Sequence, residues 1–263
     1  MNKHMHRLAF LLGVGVLLGG LAGCATSDNP QTRDEIPAAT NVLRIGITPT
    51  LAPIAFQRNG QLAGIEVDLA RALAKALGRT PRFIELPWEK QIDALMANQT
   101  DLIMSGMSIT PARQMRVAFT EPYMRSGQTA LVRRSELASL QLTLFTSKHR
   151  IGVQPGTTGE YYVQQQFSKA EVKLFKTPAA GAQALIKGHI DAFIHDAPAN
   201  WWLASVHESE GLTVIPRYLT EEYVAWAARK NDTALVEAAN RWITTARKNG
   251  ELQRLIGHWI PFQ

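Results

Sequence analysis

The chain has 263 residues, 46% hydrophobic and 19% charged, a balance that supports a large core and excludes a disordered or fibrous protein. Its 28 Lys and Arg against 22 acids leave a net charge of +6, but the cations are scattered, Arg133-Arg134 being the densest group, so no nucleic-acid footprint is present. A single cysteine excludes an internal disulfide framework and any multi-cysteine metal site.

The chain opens with Lys3 and Arg7, then an apolar run of about 14 residues from Leu8 to Leu21, then Leu21-Ala22-Gly23-Cys24. A bilayer-spanning helix needs roughly 20 apolar residues. Residues 1–23 therefore read as a signal peptide. Leu-Ala-Gly-Cys resembles the bacterial lipobox, and that resemblance makes Cys24 the new, lipid-bearing N-terminus, its acyl chains anchoring the protein to a membrane. Residues 24–42, rich in Ser, Asp, Asn, Pro, Gln and Thr, lack apolar periodicity and read as a flexible tether with a reach of ~60 Å at about 3.3 Å per residue.

From Leu43 onward strand and helix signals alternate. Leu43-Arg44-Ile45-Gly46-Ile47 reads as a strand, the Pro-punctuated stretch Thr48 to Pro53 as a loop, and Leu69, Leu73, Ala76 and Leu77 as one helix face that stops at Gly78. Pro81 to Leu86 reads as a second strand, Ile92, Leu95 and Met96 as a second helix face, and Leu102-Ile103-Met104 as a third strand. Ile151-Gly152-Val153 opens a further series, with helices near Tyr161 to Phe167 and Ala179 to Ile186 and a strand at Ala192-Phe193-Ile194. Such alternation predicts α/β lobes with mainly parallel sheets. The extended runs Thr129 to Val132 and Tyr223 to Ala227 read as two crossings between lobes. Lobe one is then residues 43–128 and 228–263, and lobe two is 129–227 including the hinge strands. Ligands in open α/β sheets bind beyond the carboxyl ends of the strands, which places a cleft between the lobes.

Gly64-Ile65-Glu66-Val67-Asp68-Leu69, Ser108-Ile109-Thr110-Pro111-Ala112-Arg113, Phe119-Thr120-Glu121-Pro122-Tyr123 and Gly152-Val153-Gln154-Pro155-Gly156-Thr157-Thr158 together resemble the family 3 extracellular solute-binding proteins, the amino-acid receptors of ABC importers. The match runs in order from Leu43 to Pro261. It implies a two-lobed periplasmic-binding-protein-like (type II) fold with two hinge crossings. It also implies a monomeric, non-enzymatic binder in the cell envelope, with an ABC transporter permease as partner and with no cofactor, metal or nucleic acid.

The resemblance assigns the ligand carboxylate to Arg113, whose planar fork suits bidentate charge-assisted bonds. It gives Gly106 a carbonyl toward the ligand ammonium, Ser108 a hydroxyl and an N–H, and Thr158 an N–H where a loop enters a helix. Asp196, in His195-Asp196-Ala197-Pro198, receives the ammonium; the same residue is also a sound helix N-cap. Trp88 and Leu51 match side-chain-pocket positions of relatives, with Thr48, Gln154 and His195 as nearby polar candidates. Receptors for lysine or arginine often carry a carboxylate or tyrosine where Thr48 and Leu51 stand, so an amino acid with an uncharged side chain is expected.

Simpler readings hold for other residues. Arg116 reads as a solvated helix-start arginine, and Glu66 and Asp68 as acids favoured by a helix macrodipole. Trp201, Trp202, Trp242 and Trp259 read as packing residues. His149, His189, His207 and His258 show no metal-ligand spacing. Two rival functions remain: a cyclohexadienyl (prephenate or arogenate) dehydratase on the same scaffold, which needs a general acid facing the substrate, and a ligand-sensing envelope domain.

Overall fold

The computed structural model describes residues 41–144 and 146–260. The signal peptide, Cys24 and nearly all of the tether lie outside these residues. No helix among the described residues is long and apolar enough to cross a membrane.

Two five-stranded sheets share one construction. In the first the strand order is Thr80–Glu85, Val42–Ile47, Leu102–Ile103, Ala227–Ala228 and Ala118–Phe119. In the second it is Glu171–Leu174, Arg150–Val153, Ala192–Asp196, Gln128–Arg133 and Leu212–Val214. Each sheet has three parallel strands followed by an antiparallel one; Ile45 pairs with Phe83 and Leu102, and Ile151 with Val172 and Ala192. Both faces of each sheet are covered by helices, which explains the buried, mainly apolar central strands such as Leu102–Ile103 and Arg150–Val153. In the first, Leu43, Ile45 and Leu102 meet Leu69, Leu73 and Ile243, while Ile103 meets Leu95 on the other face. In the second, Ile151 and Ile194 meet Val163, while Leu131 and Phe193 meet Leu185 and Leu203. Each such fully buried aliphatic contributes about 1.5–3 kcal/mol.

The sheets are joined by an antiparallel ribbon, Met124–Ser126 against Glu222–Val224, with Glu222 opposite Ser126. This corrects both crossing strands expected from sequence. Thr129 to Val132 lies inside the second sheet as part of Gln128–Arg133, and Tyr223 to Ala227 is two pieces, one in the ribbon and one in the first sheet. Trp226 interrupts that run because its buried ring stacks between Tyr123 and Trp242. The Pro-punctuated stretch also departs from a plain loop. It begins a small antiparallel sheet of Thr50–Leu51, Ala55–Arg58 and Gln61–Ala63, whose two-residue turn Asn59-Gly60 has positive φ at both positions, the backbone that Asn-Gly accommodates in tight hairpins.

The helix Ile65–Ala76 starts at Gly64 with φ 125, and a Cβ there would meet the Ile54 carbonyl oxygen at 2.5 Å. The close approach lets Ile65 and Glu66 donate their backbone N–H groups to the Pro53 and Ile54 carbonyls at 3.0 and 2.9 Å, satisfying donors that a helix start leaves open. That junction fixes Glu66 beneath the cleft.

Candidate functional site

Every cleft residue expected from sequence lines one small cavity: Thr48, Leu51, Trp88, Gly106, Ser108, Arg113, Gln154, Thr158, His195 and Asp196, joined by Ser105 and Thr157. The residues come from loops at the carboxyl ends of strands in both sheets. Among its lining residues Arg113 is the only Lys or Arg and Asp196 the only carboxylate.

Arg113 sits in the short helix Pro111–Gln114, capped by Thr110, whose side chain accepts the Arg113 N–H at 3.2 Å. Its guanidinium donates to the Ser108 carbonyl at 2.8 Å and to the Gly156 carbonyl at 3.3 Å, and lies 5.0 Å from the centre of the Trp88 ring. The Trp88 indole N–H donates to the same Gly156 carbonyl at 3.0 Å. Arg113 and Trp88 belong to the first sheet's side and Gly156 to the second, so the two sides of the cleft touch. Burial pulls the guanidinium below its ordinary value, opposed by the charges of Asp196 and Glu222; it remains cationic. Arg116, by contrast, is exposed and pairs with Asp93 at 2.7 Å.

Asp196 ends the strand Ala192–Asp196 and stands at the N-cap of the helix Ala197–Val206, yet its side chain makes no capping bond. Its carboxylate accepts from Gln128 Nε2 at 2.5 Å. Burial and the neighbouring charge of Glu222 raise its pKa to about 7, against the Gln128 bond and the charge of Arg113.

Thr158 is the first residue of the helix Thr158–Gln166, where Thr157 forms the N-cap by accepting the Glu160 N–H at 3.2 Å. Backbone N–H groups in that first turn have no partner inside the helix and favour an anion. Gly106 adopts φ 69, which favours glycine, and a Cβ there would lie 3.1 Å from the Ile54 side chain, a close contact. Thr48 is buried, its N–H donating to Ser105 Oγ at 2.8 Å and its hydroxyl accepting from Gln91 at 3.0 Å.

His195 is buried, its ring stacked on Phe193, and burial lowers its pKa to about 4. The neutral ring accepts the Asp196 N–H at Nδ1, 2.8 Å, which leaves Nε2 to donate to Gln154 Oε1 at 2.9 Å. Gln154 in turn donates to the Lys176 carbonyl at 3.1 Å.

Beneath the cavity the structure adds residues that sequence reading missed. Glu66, read as a macrodipole acid, is fully buried and accepts the Gly106 N–H at 2.9 Å, the Tyr123 hydroxyl at 2.9 Å and the Trp226 indole N–H at 2.8 Å. It thereby ties the Gly106 loop to both chain segments that flank the ribbon. Burial still raises it to about 7, these three bonds opposing the shift. Gln128 and Glu222 are the other omissions. The Gly127-Gln128 pair lies four residues past Tyr123, beyond the Glu121-Pro122-Tyr123 motif, and neither it nor Glu222 carries a motif of its own. The tryptophans pack as expected, Trp202 against Phe56 and Trp259 through its N–H to Asp68.

A cation and an anion converging in a small, largely desolvated cavity match the charges of a zwitterion. The chain is 28% identical to the arginine-binding periplasmic protein of Mannheimia haemolytica over 82% of its length and 90% of its relative's. Among solved structures it is similar to the ancestral amino acid-binding protein AncCDT-1, a precursor of cyclohexadienyl dehydratase, with a TM-score of 0.75 and 33% identity over 83% of this chain and 95% of that one. It is similar also to an ancestral arginine-binding protein bound to glutamine, with a TM-score of 0.76 and 28% identity over 84% and 99%. These relatives are binding proteins, not enzymes. Residues 43–262 match the model of the bacterial extracellular solute-binding proteins, family 3, and the chain belongs to that family.

Proposed function

We propose that this protein captures an amino acid with an uncharged side chain between its two lobes and delivers it to an ABC-type importer. The carrying observation is the placement of Arg113 and Asp196 in one cavity from opposite sheets. In this reading Arg113, with the N–H groups of Ser108 and Thr158, takes the ligand carboxylate, and Asp196 with the Gly106 carbonyl takes the ammonium. A zwitterion then bridges the cleft and favours the closed state, a population shift about the ribbon. Thr48, Leu51, Trp88, Gln154 and the neutral His195 offer no charge to a ligand side chain, which supports the uncharged class. The ancestral relative bound to glutamine is in keeping with it.

The same proposal divides the chain near the bounds expected from sequence, lobe one 43–128 with 228–263 and lobe two 129–227, moved by one residue at each join because Gln128 pairs in the second sheet and Ala227 in the first, and acting as a monomer. Lipidation at Cys24 would hold it to the envelope. Intact mass of membrane-extracted protein is then expected to lack residues 1–23 and carry an acyl adduct, and a Cys24→Ser protein that stays membrane-bound would remove the anchor.

A thermal-shift panel of the twenty amino acids and prephenate tests the ligand class, since a ligand that binds only the folded state stabilises by mass action. Neutral amino acids are expected to raise Tm, with lysine and arginine weaker. Tight arginine binding would overturn the class. Steady turnover of prephenate would instead establish the dehydratase reading, which the similarity to AncCDT-1 keeps open.

A further inference from the structure

We infer that Glu222, on the ribbon between the lobes, is a positioning residue for the ligand site that holds one hydroxyl from each wall of the cleft and so latches the shut arrangement. The inference rests on the binding reading above.

The geometry is a four-donor cradle around one carboxylate. Ser108 Oγ donates to Glu222 Oε2 at 2.5 Å and Thr158 Oγ1 donates to the same oxygen at 2.9 Å. Thr220 Oγ1 and Gln128 Nε2 donate to Oε1 at 2.8 and 3.1 Å. Ser108 belongs to the first lobe's side, and its segment is zipped to the ribbon strand by a bridge to Val224 and by the Ile109 N–H bonding the Tyr223 carbonyl at 2.8 Å. Thr158 and Gln128 belong to the second sheet's side. Separating the walls therefore breaks at least one charge-assisted bond to Glu222, a class roughly twice as strong as a neutral bond.

The chemistry explains why an acid stands here. A carboxylate accepts from four donors without presenting a hydrogen to any of them. With their hydroxyls turned toward Glu222, Ser108 and Thr158 are held by their side chains while their backbone N–H groups stay available to a ligand carboxylate. Glu222 thus acts through Ser108 and Thr158 and need not touch the ligand.

It also acts on Asp196. Gln128 Nε2 donates to both carboxylates, at 2.5 Å to Asp196 and 3.1 Å to Glu222, so the two negative charges lie around one amide. The charged and titratable groups around Asp196 are Glu222 on the ribbon, Arg113 across the cleft, Tyr123 from the segment before the ribbon and the adjoining neutral His195. Of these Glu222 is the one that makes ionisation of Asp196 harder by like charge. Glu222→Gln then has two separable consequences: a loosened latch, and an Asp196 that ionises at lower pH.

The experiment compares wild type, Glu222→Gln and Glu222→Asp. Stopped-flow tryptophan fluorescence with L-glutamine, L-histidine and L-arginine as probes reads association and dissociation. A carboxyl-carbon NMR titration of Asp196 in ligand-free protein needs no ligand. For Glu222→Gln the expected result is at least tenfold faster dissociation with association within twofold of wild type, together with an Asp196 midpoint moved to lower pH. Glu222→Asp, which keeps the charge, is expected to restore most of the Asp196 midpoint. Unchanged dissociation, or slower association with unchanged dissociation, overturns the latch. An unmoved Asp196 midpoint overturns the electrostatic part; a purely structural role would lower Tm without moving it. If Glu222→Gln fails to fold, the Ser108→Ala/Thr158→Val protein, which keeps the carboxylate and removes both hydroxyls, is expected to show the same fast dissociation, and wild-type dissociation there overturns the latch. Failure of wild type to bind any probe while the Asp196 midpoint still moves counts against the amino-acid reading and leaves the coupling between the two carboxylates standing.

Discussion

Glu66, fully sealed, and Asp196, part-buried on the cavity wall, are two carboxylates both raised to about 7 primarily by desolvation, yet they are solvated in opposite ways. Glu66 lies under the cavity with three protein donors, from a backbone N–H, a phenol and an indole. Asp196 lines the cavity, receives one short bond from Gln128, and faces the guanidinium of Arg113. The protein completes the shell of the first and leaves part of the second to be completed from within the cleft. A perturbed pKa by itself therefore does not separate a structural anion from a binding one; the count of protein donors and access to the cavity do.

The largest expected effect tests that distinction directly. Asp196→Asn should weaken binding of the best amino acid in the panel by well over tenfold by calorimetry and abolish ligand-induced compaction in small-angle scattering, with Tm equal to or above wild type. Its partner Glu66→Gln should lower Tm, because an amide turns a donor toward the Trp226 or Tyr123 donor and leaves a buried N–H unpaired. A drop in Tm for both, with binding intact in both, would erase the difference.

Arg113→Ala comes next. Removing one partner of a desolvated charge pair costs on the order of 2–5 kcal/mol, so affinity should fall at least tenfold by calorimetry with the apo fold intact by circular dichroism. Near-wild-type affinity would take Arg113 out of the site.

The pH dependence sharpens the comparison. Both acids are raised in the folded state, so the folded protein binds more protons than the unfolded chain between about pH 4.5 and 7, and ligand-free stability should fall as pH rises through that window. Glu66→Gln and Asp196→Asn should each flatten part of that slope in urea titrations. Affinity runs the other way, because an ammonium needs the ionised Asp196: it should rise as pH climbs toward and past 7 in wild type, and this rise should survive in Glu66→Gln. Loss of the rise there would make Glu66, not Asp196, the binding anion.

The smallest effect concerns the loop that joins the two carboxylates' neighbourhoods. Gly106→Ala places a side chain at φ 69 and 3.1 Å from Ile54, a strain of about 1–3 kcal/mol that should lower Tm by a few degrees. Affinity should drop more modestly than in Arg113→Ala.

Much of this molecule is legible in its sequence. Ile45, Ile103 and Ile151 lie in β-branched, apolar strands because both sheet faces are covered, and the helix face of Leu69 and Leu73 repeats at 3.6 residues because it packs on one of them. The cleft residues from Thr48 to Asp196 are legible through the family resemblance, which several short motifs at or just after strand ends carry. Asn59-Gly60 too carries a hairpin signal in two letters.

What the chain does not spell out is which side chains meet through the ribbon. Glu222 gathers Ser108 from 114 positions away, Thr158 from 64 and Gln128 from 94, while Glu66 gathers Trp226 from 160. Periodicity and local motifs report what a residue does within its own strand, helix or turn, where the backbone fixes the spacing. A carboxylate takes its donors from whatever the two crossings bring within about 3 Å, and that is decided only when both sheets and the ribbon between them have formed. Local sequence therefore determined the two α/β layers and the residues at their strand ends; tertiary structure alone decided that Glu66 is sealed and that Glu222 stands between the walls.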